Sequence, residues 1–185
     1  MGEEVKRYLR MKVGIFSDSH GEIKNLEKAA DVAVSIGVDL LIHLGDDYDD
    51  AAVLDKYGIK RVLKVPGIYS GYYLSPDIPN RVIEIICGKR VLLSHTSSSS
   101  QNDLKEDLKP EKLIAGGEID FLFYGHTHIP FAGERNGIIA LNPGHLKEKD
   151  KRGYPPSFAV ADFTEKAAVI YNLENGKVIT ECRWK

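Results

Sequence analysis

Three short apolar runs, separated by helical patterns in the first third of the chain, restrict the fold more than any other feature. Met11 to Ser17 is an apolar run bounded by polar residues, which reads as a largely buried strand. From Ile23 to Ile36 the residues Ile23, Leu26, Ala29, Ala30, Ala33, Val34 and Ile36 recur mostly at helical spacing, with Lys24, Glu27, Lys28 and Asp31 opposite. An amphipathic helix is the expectation, ended by Gly37 in a position suited to a left-handed cap. Asp39 to Leu44 reads as a second buried strand, Asp50 to Tyr57 as a short helix stopped by Gly58, and Lys60 to Val65 as a third strand. Such alternation calls for a parallel sheet with right-handed crossovers.

The second half is patterned differently. Arg81 to Ile86 and Arg90 to Ser94 are joined by Cys87, Gly88 and Lys89, a connection that only an antiparallel hairpin can use. Helical sequence from Leu104 to Ala115, with Pro110 at a first-turn position, leads into strands at Asp120 to Tyr124 and Gly137 to Leu141. Phe158 to Phe163 follows, then a hairpin of Ala167 to Leu173 against Lys177 to Cys182, turned at Asn175 and Gly176. A mixed sheet or two packed sheets results, an α/β fold. At 185 residues the chain suits one domain and is too short for a (β/α)₈ barrel of ~250 residues. We expect that domain over 11–185, behind a charged, aperiodic leader at 1–10.

Composition removes several classes of function. Hydrophobic residues make up 43% and charged residues 28%, enough apolar surface for a packed core. Lys plus Arg number 25 against 27 Asp plus Glu, so no strong nucleic-acid signal exists. No apolar run approaches the ~20 residues needed to span a bilayer, and the first ten residues are too charged for a signal peptide. A cytoplasmic protein without membrane contact is expected. Cys87 and Cys182, in apparent strands with no metal-ligand spacing around them, read as small core residues. Ser97 to Ser100 reads as a flexible loop.

Of six histidines, five fall at or just beyond the C-terminal ends of these strands, where open α/β sheets place ligand sites. Asp18 and His20 follow the first strand, Gly45 and Asp46 the second. His95 follows the run Val91 to Leu93, and His126 and His128 follow Phe121 to Tyr124. Imidazole and carboxylate donors together suit Mn²⁺, Fe²⁺, Ni²⁺ or Zn²⁺, and the absence of thiolate disfavours softer ions.

The ordered set Asp18-x-His20, Gly45-Asp46, His95, Gly125-His126-x-His128 resembles the calcineurin-like metallophosphoesterases. With its length and the Asn142-Pro143-Gly144 segment, the chain is similar to the small single-domain phosphodiesterases related to the retromer subunit Vps29, from Met11 to about Cys182. That resemblance implies a four-layer αββα sandwich of two mixed β-sheets. It also implies up to two divalent metal ions, most readily Mn²⁺: Asp18, His20 and His128 on the first, His95 and His126 on the second, and Asp46 bridging. A metal-bound hydroxide would then attack a small phosphate-ester substrate in line. A homo-oligomer is compatible with this reading.

Departures at two places, after Gly67 and after His95, qualify this reading. Ile68 stands where the family carries a ligating Asn, so the second metal loses a protein ligand. Tyr69 stands where the family's general acid belongs, and its phenol could donate a proton to the leaving group or simply line the substrate mouth. Thr96 and the serine tract replace the Gly and His that small members show after His95. Asp47, Asp49 and Asp50 read as solvated loop carboxylates, His43 as a satisfied core histidine, and His145 either as reaching the site or as a plain loop residue. A Vps29-like interaction scaffold with a degraded metal site is the competing function. A metallo-hydrolase of carbon substrates lacks its HxHxDH run.

Overall fold

The computed structural model describes residues 11–185; the leader expected at 1–10 lies outside the described residues. The first third forms the expected alternation: β1 (Lys12–Phe16), α1 (Ile23–Ile36), β2 (Leu40–His43), a 3₁₀ helix (Asp50–Tyr57) and β3 (Val62–Lys64). Both strand pairs run parallel. Gly37 caps α1 at φ 85°, returning its N–H to the carbonyls of Ala33 and Val34.

Beyond these come β4 (Arg81–Ile86), β5 (Lys89–Ser94), α2 (Pro110–Ala115), β6 (Phe121–Phe123), β7 (Phe131–Arg135), β8 (Ile138–Asn142), β9 (Ser157–Asp162), β10 (Ala167–Asn172) and β11 (Val178–Arg183). They complete two mixed sheets, a six-stranded one in the order β11-β10-β9-β1-β2-β3 and a five-stranded one in the order β4-β5-β6-β8-β7. Strand alternation makes each sheet two-sided. In β1, Val13 and Ile15 enter the core between the sheets, where Ile42, Leu93, Phe121 and Phe123 meet them, whereas Phe16 joins Leu26, Ala33 and Leu41 beneath α1. A third apolar layer, with Leu92, Leu122 and Tyr124, lies on the outer face of the second sheet against Leu113 of α2. Three apolar layers between four structural ones make the αββα sandwich that the resemblance implied. Among the described residues, no helix is long and apolar enough to cross a membrane.

Several local expectations are corrected. Helix α2 starts at Pro110 instead of Leu104, because a proline's missing N–H is harmless only in the first turn, so Pro110 marks the beginning. Strand β7 was not expected. Its turn into β8 is Asn136-Gly137, both at positive φ, the two-residue form that matches strand twist. The hairpin expected at Asn175-Gly176 does form between β10 and β11, but through a longer loop in which the Asn172 side-chain oxygen accepts the N–H of Glu174 at 2.8 Å. Cys87 occupies the β4–β5 turn rather than a strand, and both cysteines are half-buried against the inter-sheet core.

Candidate metal centre

Both sheets direct the ends of parallel strands toward one edge, so loops distant in sequence meet there. Hydrogen bonds tie them together: Asp18 N–H donates to the Gly45 carbonyl at 3.0 Å, Gly125 N–H to that of His95 at 3.1 Å, and Leu146 N–H to that of Asp18 at 3.1 Å. One ligand atom each from Asp18, His20, Asp46 and His128 lies within 4.8 Å of the others. His20 Nε2 is 2.6 Å from Asp46 Oδ2, and His128 Nε2 is 3.3 Å from Asp18 Oδ1. On the other side of the same carboxylate, His95 Nε2 lies 3.1 Å from Asp46 Oδ1, and the His126 ring stands 5.1 Å from that of His95. Asp46 thus separates two groups of donors and touches both.

The backbone at these positions is unusual. Of the eight non-glycine residues at positive φ among the described residues, five are Asp18, His20, Asp46, His126 and His128. Left-handed backbone away from glycine costs on the order of 1–3 kcal/mol and concentrates at functional sites. Gly67 is fixed by the same crowding: a Cβ there would lie 2.6 Å from the Asp46 N atom and 2.8 Å from its Oδ1.

Electrostatics suit a cation. Burial works against the Asp46 carboxylate, yet the adjoining His20 and His95 imidazoles outweigh it and hold Asp46 well below the usual carboxylate range. For His95 and His128 burial opposes charge as well, but neighbouring carboxylates prevail and raise both, Asp46 acting on His95 and Asp18 on His128. Burial lowers His126, helped by the nearby His95. His95 Nδ1 is engaged by the Leu44 carbonyl at 2.8 Å, while Nε2 is fully buried and makes no hydrogen bond. A buried imidazole nitrogen facing a carboxylate without bonding to it is what an intervening cation would satisfy. The donor set therefore fits a divalent metal.

Other candidates fall into place around this cluster. Ile68 is buried and brings no donor; its carbonyl accepts from Asn102 Nδ2 at 3.0 Å. Tyr69 lies at the rim, its ring 6.3 Å from that of His126. Asp50 accepts the Gly21 N–H and Asp49 the Tyr72 hydroxyl, so both carboxylates have local partners. His43 is a core histidine between Ser19 Oγ and the Gly45 N–H, and burial pushes its pKa down to about 4. His145 is buried behind His128, with ring centroids 5.3 Å apart.

Asp150 was not visible from sequence. Its side chain is 2% exposed and sits 2.7 Å from His128 Nδ1, held by the Arg152 N–H at 2.8 Å. A carboxylate behind an imidazole fixes the tautomer that leaves Nε2 free to ligate. Asp150→Ala should weaken metal binding at the His128 position by about ten- to hundredfold, with Asp150→Asn affected less. Calorimetric titration with Mn²⁺ checks this, and affinity equal to that of the native chain would remove Asp150 from the site.

Fold and cluster together describe a sandwich whose shared sheet edge gathers carboxylates and imidazoles for divalent cations. A sequence model of the calcineurin-like phosphoesterase superfamily domain matches residues 11–166, and the chain belongs to that family. Phosphodiesterase YfcE of Escherichia coli is 29% identical over 171 residues, covering 82% of this chain and 88% of that protein. A probable metallophosphoesterase of Methanocaldococcus jannaschii is 32% identical over 137 residues, 72% of this chain and 67% of its own length. The YfcE structure superposes with a TM-score of 0.68 at 22% identity, over 95% of this chain and all of that one. Vacuolar Protein Sorting 29 of Cryptosporidium parvum gives 0.68 at 20% identity over the same shares.

Proposed function

We propose that this chain is a metal-dependent phosphodiesterase, a phosphoric diester hydrolase acting in the cytoplasm on small phosphate esters. The observation that carries this reading is the convergence of Asp18, His20 and His128 on the Asp46 carboxylate, with His126 beside His95, all but His95 on strained, left-handed backbone. Strain of that kind persists where function uses it. Asp18, His20 and His128 would hold one cation and His95 and His126 another, Mn²⁺ being the favoured ion. Asp46 would give a carboxylate oxygen to each and offset their mutual repulsion. When bound, the metals would supply Lewis acidity and a nucleophile made from water near neutral pH.

The chain's own residues set what such a site can do. Asp150 holds His128 in register, and the Leu44 carbonyl does the same for His95. Ile68 leaves the second position one ligand short, so an ion there would be the weaker-bound of the two. With no histidine acid beside it, the site favours diesters whose leaving groups depart without a proton.

Ile68, and the fold likeness to Vacuolar Protein Sorting 29, favour a second reading as an interaction scaffold. Against it stands the completeness of the remaining donor set. Hydrolysis of bis-p-nitrophenyl phosphate decides between them: turnover should vanish after chelation and return with Mn²⁺. Absence of metal-dependent turnover would favour the scaffold.

A further inference from the structure

The segment between β3 and β4 carries two residues that depart from the family pattern, Ile68 and Tyr69, and is firmly held. Within it, Ser70 N–H donates to the Gly67 carbonyl at 2.9 Å. From the serine-rich loop after β5, Asn102 Nδ2 donates to the Ile68 carbonyl at 3.0 Å. Tyr72 donates its hydroxyl to the Asp49 carboxylate at 3.0 Å and packs its ring 4.8 Å from that of Tyr48, both in the loop after β2. Tyr73, fully buried, donates to Asp103 at 2.7 Å, and Asp103 is paired with Arg81 of β4 at 3.0 Å. Two loops, those after β2 and β5, thus grip the residues on either side of Tyr69.

Tyr69 itself is 81% exposed. Its ring stands 6.3 Å from His126 with the planes inclined at 51°, at the mouth of the candidate metal centre. An exposed tyrosine is unremarkable on a mobile loop. On a tethered one it is a preorganised aromatic surface, which loses little freedom when something covers it. Stacking uses the ring face and needs no particular hydroxyl geometry.

We infer that Tyr69 is a stacking platform which selects phosphodiesters whose retained arm carries a planar base, the chemistry of a nucleoside ester, over those whose retained arm is alkyl. This rests on the phosphodiesterase reading above and replaces proton donation as the role of Tyr69.

The test compares p-nitrophenyl thymidine 5′-phosphate with p-nitrophenyl ethyl phosphate on the Mn²⁺-loaded protein. Both release the same phenolate, so the ratio of their kcat/KM values reports the second arm alone. A preference of about tenfold for the thymidine ester is expected, expressed mainly in KM. Tyr69→Leu should bring the ratio close to one, and Tyr69→Phe should keep it, because the ring remains. A ratio near one in the native chain, or a preference that survives in Tyr69→Leu, overturns the inference. Loss of the preference in Tyr69→Phe also overturns it, since that implicates the hydroxyl. If neither ester is hydrolysed, the phosphodiesterase reading fails by itself, and the platform is then judged by equilibrium binding. Thymidine 5′-phosphate should bind more tightly than ethyl phosphate by NMR titration, with the difference lost in Tyr69→Leu; equal affinities overturn the inference.

Discussion

Asp46→Asn should lower the turnover of bis-p-nitrophenyl phosphate by about 10³-fold or more while leaving the fold intact. The asparagine has the same shape and keeps one acceptor oxygen, so it can still meet His20 or His95, which flank the carboxylate at 2.6 and 3.1 Å. What disappears is the negative charge that both donor groups share. Two cations held ~3.5–4 Å apart repel one another strongly without a shared anion. Losing several kcal/mol of that stabilisation corresponds to about three orders of magnitude in rate, at 1.36 kcal/mol for each factor of ten. The melting temperature provides the second measurement. Mn²⁺ should raise it in the native chain, because an ion that binds only the folded state stabilises that state. In Asp46→Asn most of that increase should be gone. Undiminished turnover, or an unchanged response to Mn²⁺, would remove Asp46 from the bridging role.

How much of this could be read from the residues depended on the range of the interaction. The alternation through β3 was legible because each element writes its own period, and α1 matched from Ile23 to Ile36. The candidate donors were legible for a related reason. They follow strand ends directly, so predicting the strands predicted where Asp18, His20, Asp46, His95, His126 and His128 would gather. Asp150 was not, because its role depends on a loop that returns to His128 across 22 positions, and nothing local separates it from the other charges of Lys147 to Arg152. Strand β7 escaped the sequence reading although Asn136-Gly137 announces its turn as clearly as Asn175-Gly176 announces the β10–β11 hairpin. In the second case a side chain, Asn172, competed for the backbone and changed the loop. Hairpin dipeptides are therefore ambiguous until their neighbours' hydrogen bonds are known. The joint grip on Tyr69 was equally hidden, since it couples residues 68–73 to Asp49, Asn102 and Asp103.

That grip leads to the largest expected loss of stability, in Arg81→Ala. The guanidinium is almost wholly buried and donates to Ser94 Oγ at 3.0 Å, the Leu108 carbonyl at 3.0 Å, Thr96 Oγ1 at 3.1 Å and Asp103 Oδ1 at 3.0 Å. Removing it leaves the Asp103 carboxylate, 2% exposed, with Lys109 at 3.0 Å as its one charged partner among the described residues. Breaking a buried pair by deleting one partner costs about 3–5 kcal/mol, roughly 10 °C in melting temperature for a chain of this length.

The dependence on pH distinguishes an orphaned charge from simple loss of packing. Burial works to raise Asp103, but Arg81, Tyr73 and Lys109 together hold its pKa down to about 2, below the unfolded aspartate value near 3.9. A depressed carboxylate contributes stability that is present above the unfolded pKa and lost as pH falls through the folded one. In the native chain the pair therefore remains charged at pH 4. Without Arg81 the Asp103 pKa rises, the carboxylate takes up a proton on acidification, and the penalty for burying its charge disappears. The destabilisation by Arg81→Ala should accordingly be larger at pH 7 than at pH 4, and adding Asp103→Ala should recover part of it. Denaturant unfolding of the single and double variants at both pH values measures this directly. Equal losses at the two pH values, with no recovery in the double variant, would assign the effect to the volume of the arginine side chain instead of to the charge it neutralises.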